Sequence, residues 1–236
     1  MGHEAELPAP AGELPAGKAP ARTAMAEPDH LVLAARDLDR AAAWLADRLG
    51  VALSAGGRHT YMGTHNRLLH LGEGFYLELI AIDPQALSPG RPRWFGLDQQ
   101  EALPAERPRL IHWVARSDDI LRAAAASTEA LGEILPMERG DYRWRITVPP
   151  DGHLPGEGLV PTLIQWDVPF HPASRLPDVG CRLMKLEGFD PQPARVRTAL
   201  AALGLASRLD VHSCAADRAR QLVAYIRTPG GLIELD

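Results

Sequence analysis

An internal repeat is the feature that most limits what this chain can fold into. Shifted by 82 positions without gaps, residues 29–50 align with residues 111–132. His30 meets His112, Val32 meets Val114, Asp37 meets Asp119 and Arg40 meets Arg122. Ala41, Ala42 and Ala43 meet Ala123, Ala124 and Ala125, and Leu49 and Gly50 meet Leu131 and Gly132. Alanine matches carry little weight in an alanine-rich chain. Histidine, aspartate, arginine and glycine matching in one register carry much more.

The repeated unit can be read locally. DHLVLAA is a short apolar run and predicts a strand. Asp37 follows as a helix cap, Leu38, Ala41, Ala42, Leu45 and Leu49 share one helical face, and Gly50 is the stop. Strands are then expected around residues 51–60, 66–71 and 75–82, punctuated by Gly63 and by Gly72 and Gly74. The second copy continues with strands at 142–148 and 159–167, joined by a Pro/Gly-rich turn. A weaker third copy begins at Cys181, with Met184 where the first two copies have histidine. The expected organisation is a first module at 29–83, a linker at 84–108, a second module at 109–172 and a divergent third module at 180–236. With Trp94 and Phe95 inside it, the first linker reads as a packed lid. Residues 1–28, rich in Ala, Pro, Gly and Glu without an apolar period, read as a disordered tail.

Composition narrows the function classes. The chain has 236 residues, 46% hydrophobic and 23% charged, with a net charge of -5, which suits a soluble globular protein. It offers no basic stripe for nucleic acid and no polybasic patch or long apolar run for a membrane. Two cysteines, Cys181 and Cys214, are too few for a disulfide scaffold and read as thiols in a reducing, cytoplasmic setting. Walker, dinucleotide-glycine, GxSxG, HExxH and CxxC signatures are all missing.

HLVLAARDLDRAAAWLADRLG, GGRHTYMGTHNRLLHLG and YLELIAID, with LIQWD followed by HP in the second unit, resemble the glyoxalase-like branch of the vicinal oxygen chelate superfamily. That group includes glyoxalase I, extradiol dioxygenases and the bleomycin and fosfomycin resistance proteins. The resemblance implies an α+β fold in which tandem βαβββ modules form a half-open, barrel-like sheet, with the third unit packed on them. It also implies a cleft that can hold a divalent metal on the first and last strands of each module. The matching positions are His30, Glu78, His112 and Gln165, a set suited to Zn, Fe, Ni, Co or Mn. Gln165 stands where metal-binding members carry a carboxylate, so this set has one less negative charge.

Around that centre, His59 and Asn66 match pocket-wall patches of related sequences, and Trp94 is the lid candidate. Arg145, alternating with Trp144 and Arg143, could meet an anionic substrate. Strand alternation points Trp113 and Trp166 to the opposite face, into the core under the helices. Two functions stay open. One is a metal-dependent lyase, isomerase or dioxygenase with Glu78 as ligand or proton carrier. The other is a metal-free protein that binds a small molecule for resistance or sequestration. In either case the expected partner is a small molecule, with a homodimer also compatible.

Overall fold

Each module begins with an apolar strand that leads into a capped helix, and those local signals set the element order. The computed structural model describes residues 25–99, 103 and 106–236. Of the tail expected at 1–28, residues 1–24 lie outside the described residues, as do 100–102, 104 and 105 of the lid. The last residues of that stretch are ordered, because Glu27 and Pro28 already pair with the strand at Arg109–Arg116 and Ala26 is buried.

The first module runs β1 (Glu27–Ala34), α1 (Leu38–Leu49), β2 (Ser54–His59), β3 (Thr64–Gly72) and β4 (Phe75–Ile82). Asp37 caps α1 by accepting from the Asp39 and Arg40 amides, and Gly50 ends it at φ 71°. The second runs β5 (Arg109–Arg116), α2 (Ile120–Ala126), β6 (Glu133–Arg139), β7 (Tyr142–Val148) and β8 (Thr162–Trp166). The third runs β9 (Arg182–Asp190), α3 (Pro193–Ala202), β10 (Asp210–Ser213), β11 (Gln221–Thr228) and β12 (Gly231–Leu235).

The first two modules join in one curled eight-stranded sheet, ordered β2-β3-β4-β1-β5-β8-β7-β6. Antiparallel pairing of β1 with β5 is the seam, with His30 opposite Val114 and Val32 opposite His112. The third module forms a smaller sheet, β10-β9-β11-β12. The fold is therefore α+β, a half-barrel with a second sheet at the C-terminal end.

Strand alternation divides the interior into two layers. Leu31, Leu33, Leu77, Leu79 and Trp113 face the helices and join Leu45, Leu49 and Ile120. Val32, Ile80, Val114, Trp144 and Ile146 face into the half-barrel and pack with Trp94 and Phe95 of the lid. The third module adds Leu186, Val196, Leu200 and Leu222 to the helix-side layer, and the Leu110 amide donates to the Asp236 carbonyl at 2.9 Å.

Two elements depart from the expected pattern. Helix α2 stops at Ala126, well short of Gly132, because Ser127 turns away in extended backbone. Residues 127–132 form an irregular connection to β6, a strand not expected from EILPMER because Pro136 and weak alternation obscure it. Strand β6 is the edge that faces β2 across the opening of the half-barrel.

Candidate active site

Inside the half-barrel lies a small chamber of about 30 Å3, lined by residues of both modules and the lid. Its centre is His30. The His30 Nδ1 lies 2.6 Å from Asp29 Oδ1, and its Nε2 lies 3.6 Å from Glu78 Oε2. Tyr76 stacks on the imidazole with ring centres 4.6 Å apart. Parallel pairing of β1 with β4 sets His30 opposite Tyr76 and Val32 opposite Glu78, which places the acid one step deeper than the imidazole.

Asp29 is fully buried, yet three donors surround it. Besides His30, the Trp166 indole Nε1 and His171 Nε2 each sit 2.9 Å from its Oδ2. Burial favours the neutral acid, but hydrogen bonds from His171 and His30 outweigh it and hold the carboxyl well below the usual carboxylate range. An ionised Asp29 fixes the proton of His30 on Nδ1 and leaves Nε2 facing Glu78, as an orienting carboxylate does in other acid–base sites.

Glu78 is buried at 6% exposure, and Asn66 Nδ2 donates to its Oε1 at 2.5 Å. The Asn66 Oδ1 accepts from the Gly57 amide at 2.8 Å and from Arg139 Nη1 at 3.2 Å. Arg139 Nη1 also donates to His59 Nε2 at 2.9 Å, while His59 Nδ1 meets Thr64 Oγ1 at 3.0 Å. Burial, with Arg139 adding repulsion, keeps His59 neutral by pushing its pKa well below 6.5. This strap from β6 to β2 and β3 needs the paired glycines. A Cβ on Gly56 would stand 2.1 Å from Asn66 Oδ1, and one on Gly57 would stand 2.6 Å from Arg139 Cδ.

The structure brings His30, Glu78, His59, Asn66 and Trp94 to one chamber and puts the remaining sequence candidates elsewhere. His112 faces inward but is fully engaged. Its Nδ1 meets the Gly158 carbonyl at 3.0 Å, and its Nε2 accepts from the Thr162 amide at 3.0 Å beside Thr162 Oγ1. Burial lowers its pKa to about 3, so the ring is neutral. No lone pair is left for a metal, and Phe95 packs beside the ring.

Gln165 points away from the chamber, where its Oε1 accepts from the Ile120 amide at 2.9 Å and caps α2. The reason is the phase of β8. Trp166 pairs with Trp144 and Ile164 with Ile146 on the chamber side, which leaves Gln165 opposite Arg145 outside. Trp166, expected in the core under the helices, is therefore a chamber wall. Trp113 does lie in that core, where its Nε1 donates to the Leu159 carbonyl at 3.0 Å. Arg145 is held outside by Asp167 at 2.8 Å.

These positions decide whether a divalent ion fits. Of the four positions matched to a metal set, only His30 Nε2 and Glu78 Oε2 converge among the described residues, and the Arg139 guanidinium lies one amide away. Among the described residues, no three His, Cys, Asp or Glu side chains gather into a metal-ligand group. Two donors beside a fixed cation do not make the three- or four-ligand set such an ion needs.

Arg139, Asp29, Tyr76 and His171 are site residues that sequence reasoning did not select. His171 had a signal in the His-Pro pair after LIQWD. Arg139 had none, since its strand was not foreseen. A larger cleft of about 530 Å3 lies between the half-barrel and the C-terminal sheet. Several of its charges are paired, Arg107 with Asp236 at 3.0 Å across the lining and Arg220 with Asp190 behind it at 2.8 Å. The smaller chamber holds the buried acid–base groups.

A glyoxalase-like domain model matches residues 29–204. The chain belongs to the glyoxalase-like domain family. No curated protein matches the chain. Among solved structures, a hypothetical protein from Staphylococcus aureus aligns with TM-score 0.57 and 12% identity over 89% of this chain and 98% of that one. Methylmalonyl-CoA epimerase from Mycobacterium tuberculosis aligns with TM-score 0.42 and 19% identity over 62% of this chain and 91% of that one. At such identities the likeness is one of fold. Among the described residues, no helix is long and apolar enough to cross a membrane.

Proposed function

We propose that the chamber is an acid–base site that moves a proton on a small molecule, with His30 and Glu78 as the exchanging pair and without a resident metal ion. The observation that carries this reading is the line Asp29–His30–Glu78, in which Nδ1 is held by an ionised carboxylate and Nε2 faces a second, buried one. Asn66 holds one oxygen of Glu78 and leaves the other beside the chamber. Glu78 takes a proton from an acidic C–H or O–H group and passes it to the neighbouring His30 Nε2. The imidazolium so formed, charge-balanced by Asp29, delivers that proton to a different atom of the same molecule. Isomerase and lyase outcomes both use that exchange.

The test is hydrogen exchange in D2O, followed by NMR, on small carbonyl compounds incubated with chelator-treated protein. Exchange is expected with the wild-type chain and about a hundredfold or more slower with Glu78→Gln. Exchange that vanishes on chelation and returns with Zn, Fe, Ni, Co or Mn would restore a metal-dependent lyase or dioxygenase. So would near-stoichiometric metal lost in His30→Ala. Binding without any exchange would favour the second reading, a sequestration or resistance protein, which the small, largely closed chamber also suits.

A further inference from the structure

The chamber opens onto a groove of about 970 Å3, and Arg139 and Trp144 line both. The volumes divide the work. About 30 Å3 admits little more than one functional group, since one or two water molecules would fill it. Any larger part of a ligand must lie in the groove, whose walls include Tyr61, Pro136, Met137 and Trp144. Tyr61 is 60% exposed, an apolar surface with nothing across it.

Charge singles out the threshold. Of the other arginines near the mouth, Arg58 meets Asp83 at 3.0 Å and Arg145 meets Asp167 at 2.8 Å, while Arg143 on the groove wall is exposed to solvent. Among the described residues, half-buried Arg139 bonds only to neutral acceptors, His59 Nε2 and Asn66 Oδ1. The chamber's own acid, Glu78, is linked to Arg139 through Asn66, which already occupies its Oε1. A partly desolvated guanidinium without a counter-charge is costly, and its planar fork matches a carboxylate. Trp94, another wall, buries its Nε1 without an acceptor among the described residues.

We propose that the ligand is an organic carboxylate of short to medium chain length. Its acid group sits on Arg139, a carbonyl or hydroxyl beside that group enters the chamber toward His30 and Glu78, and its apolar body lies in the groove. This rests on the chamber being the acid–base site, and binding can be tested apart from exchange.

Isothermal titration of the full chain with 2-oxohexanoate, hexanoate, acetate, 2-hexanone and inorganic phosphate is the experiment. Saturable binding is expected for the two six-carbon acids, with 2-hexanone weaker by about tenfold or more for the lost charge-assisted pair. Acetate and phosphate, without an apolar body, are expected to bind more weakly than hexanoate. Arg139→Gln should weaken the acids and leave the ketone unchanged. Arg139 also ties β6 to β2 and β3, so Tyr61→Ala, on an exposed side chain, serves as the second variant and should weaken hexanoate but not acetate. Equal affinity for acid and ketone, no binding by either six-carbon acid at millimolar concentration, or acid affinity indifferent to both variants would overturn the proposal. Acids that bind but never exchange would sink the acid–base reading alone. Neutral ketones that bind and exchange as well as acids would sink only the anion site.

Discussion

His30 and His112 occupy the same place in two copies of one unit, yet they do different work. In the first module, the preceding residue is Asp29, which accepts a hydrogen bond from Nδ1 and leaves Nε2 facing Glu78. In the second, Gly158 and Thr162 take both ring nitrogens, and the imidazole becomes a hydrogen-bonded strut between β5 and β8. Glu78 and Gln165 diverge in the same way, one toward the chamber and the other toward the start of α2. Repeat position says which strand a side chain belongs to. Its chemistry is set by the partners that other segments bring.

The largest effect should come from the strut. Replacing His112 with Ala leaves the Thr162 amide and the Gly158 carbonyl buried without partners, and about 2–4 kcal/mol of stability should be lost in urea unfolding. A stable His112→Ala chain that had lost a bound metal would break the contrast between the two histidines.

Titration sharpens it further. The His112 pKa falls from 6.5 to about 3 on folding, so between those values the unfolded chain binds the extra proton. Stability present above pH 6.5 should therefore fall as the pH drops toward 3, by up to about 1.4 kcal/mol per unit. A His112→Gln chain should show a shallower acid limb in urea unfolding followed against pH.

His30→Ala should cost less, about 1–2 kcal/mol, because Trp166 and His171 still hold Asp29, while proton exchange should fall to background. A larger stability loss with exchange intact would make His30 the strut instead. Smallest of all, Gln165→Ala removes one helix-capping bond, worth about 1 kcal/mol. Calorimetric melting should register that change, and ligand affinity and metal content should stay the same.

Legibility followed the same division. Strands β4 and β7 could be read to the residue because alternation or apolar runs and turn glycines are local. Strand β6 could not, and with it Arg139 was hidden. The family resemblance matched Gln165 to Glu78, but β8 is in the other phase, and a one-residue slip turns every side chain to the opposite face. Trp166 and Gln165 exchange sides for that single reason. Asp29 looked like the entry to a strand because nothing nearby announces a buried charge. Two of its three donors, Trp166 and His171, come from the far end of the second module.

By itself the sequence determined the repeated unit, its helix caps and the two-layer pattern of apolar residues, because each depends on neighbours a few positions away. Only the tertiary structure decided which polar groups share the chamber. Those choices are made by hydrogen bonds spanning 46 residues from His112 to Gly158, 80 from His59 to Arg139 and 137 from Asp29 to Trp166. No local period encodes contacts at such separations; they exist once the seam between β1 and β5 has closed and buried groups must find partners or remain costly.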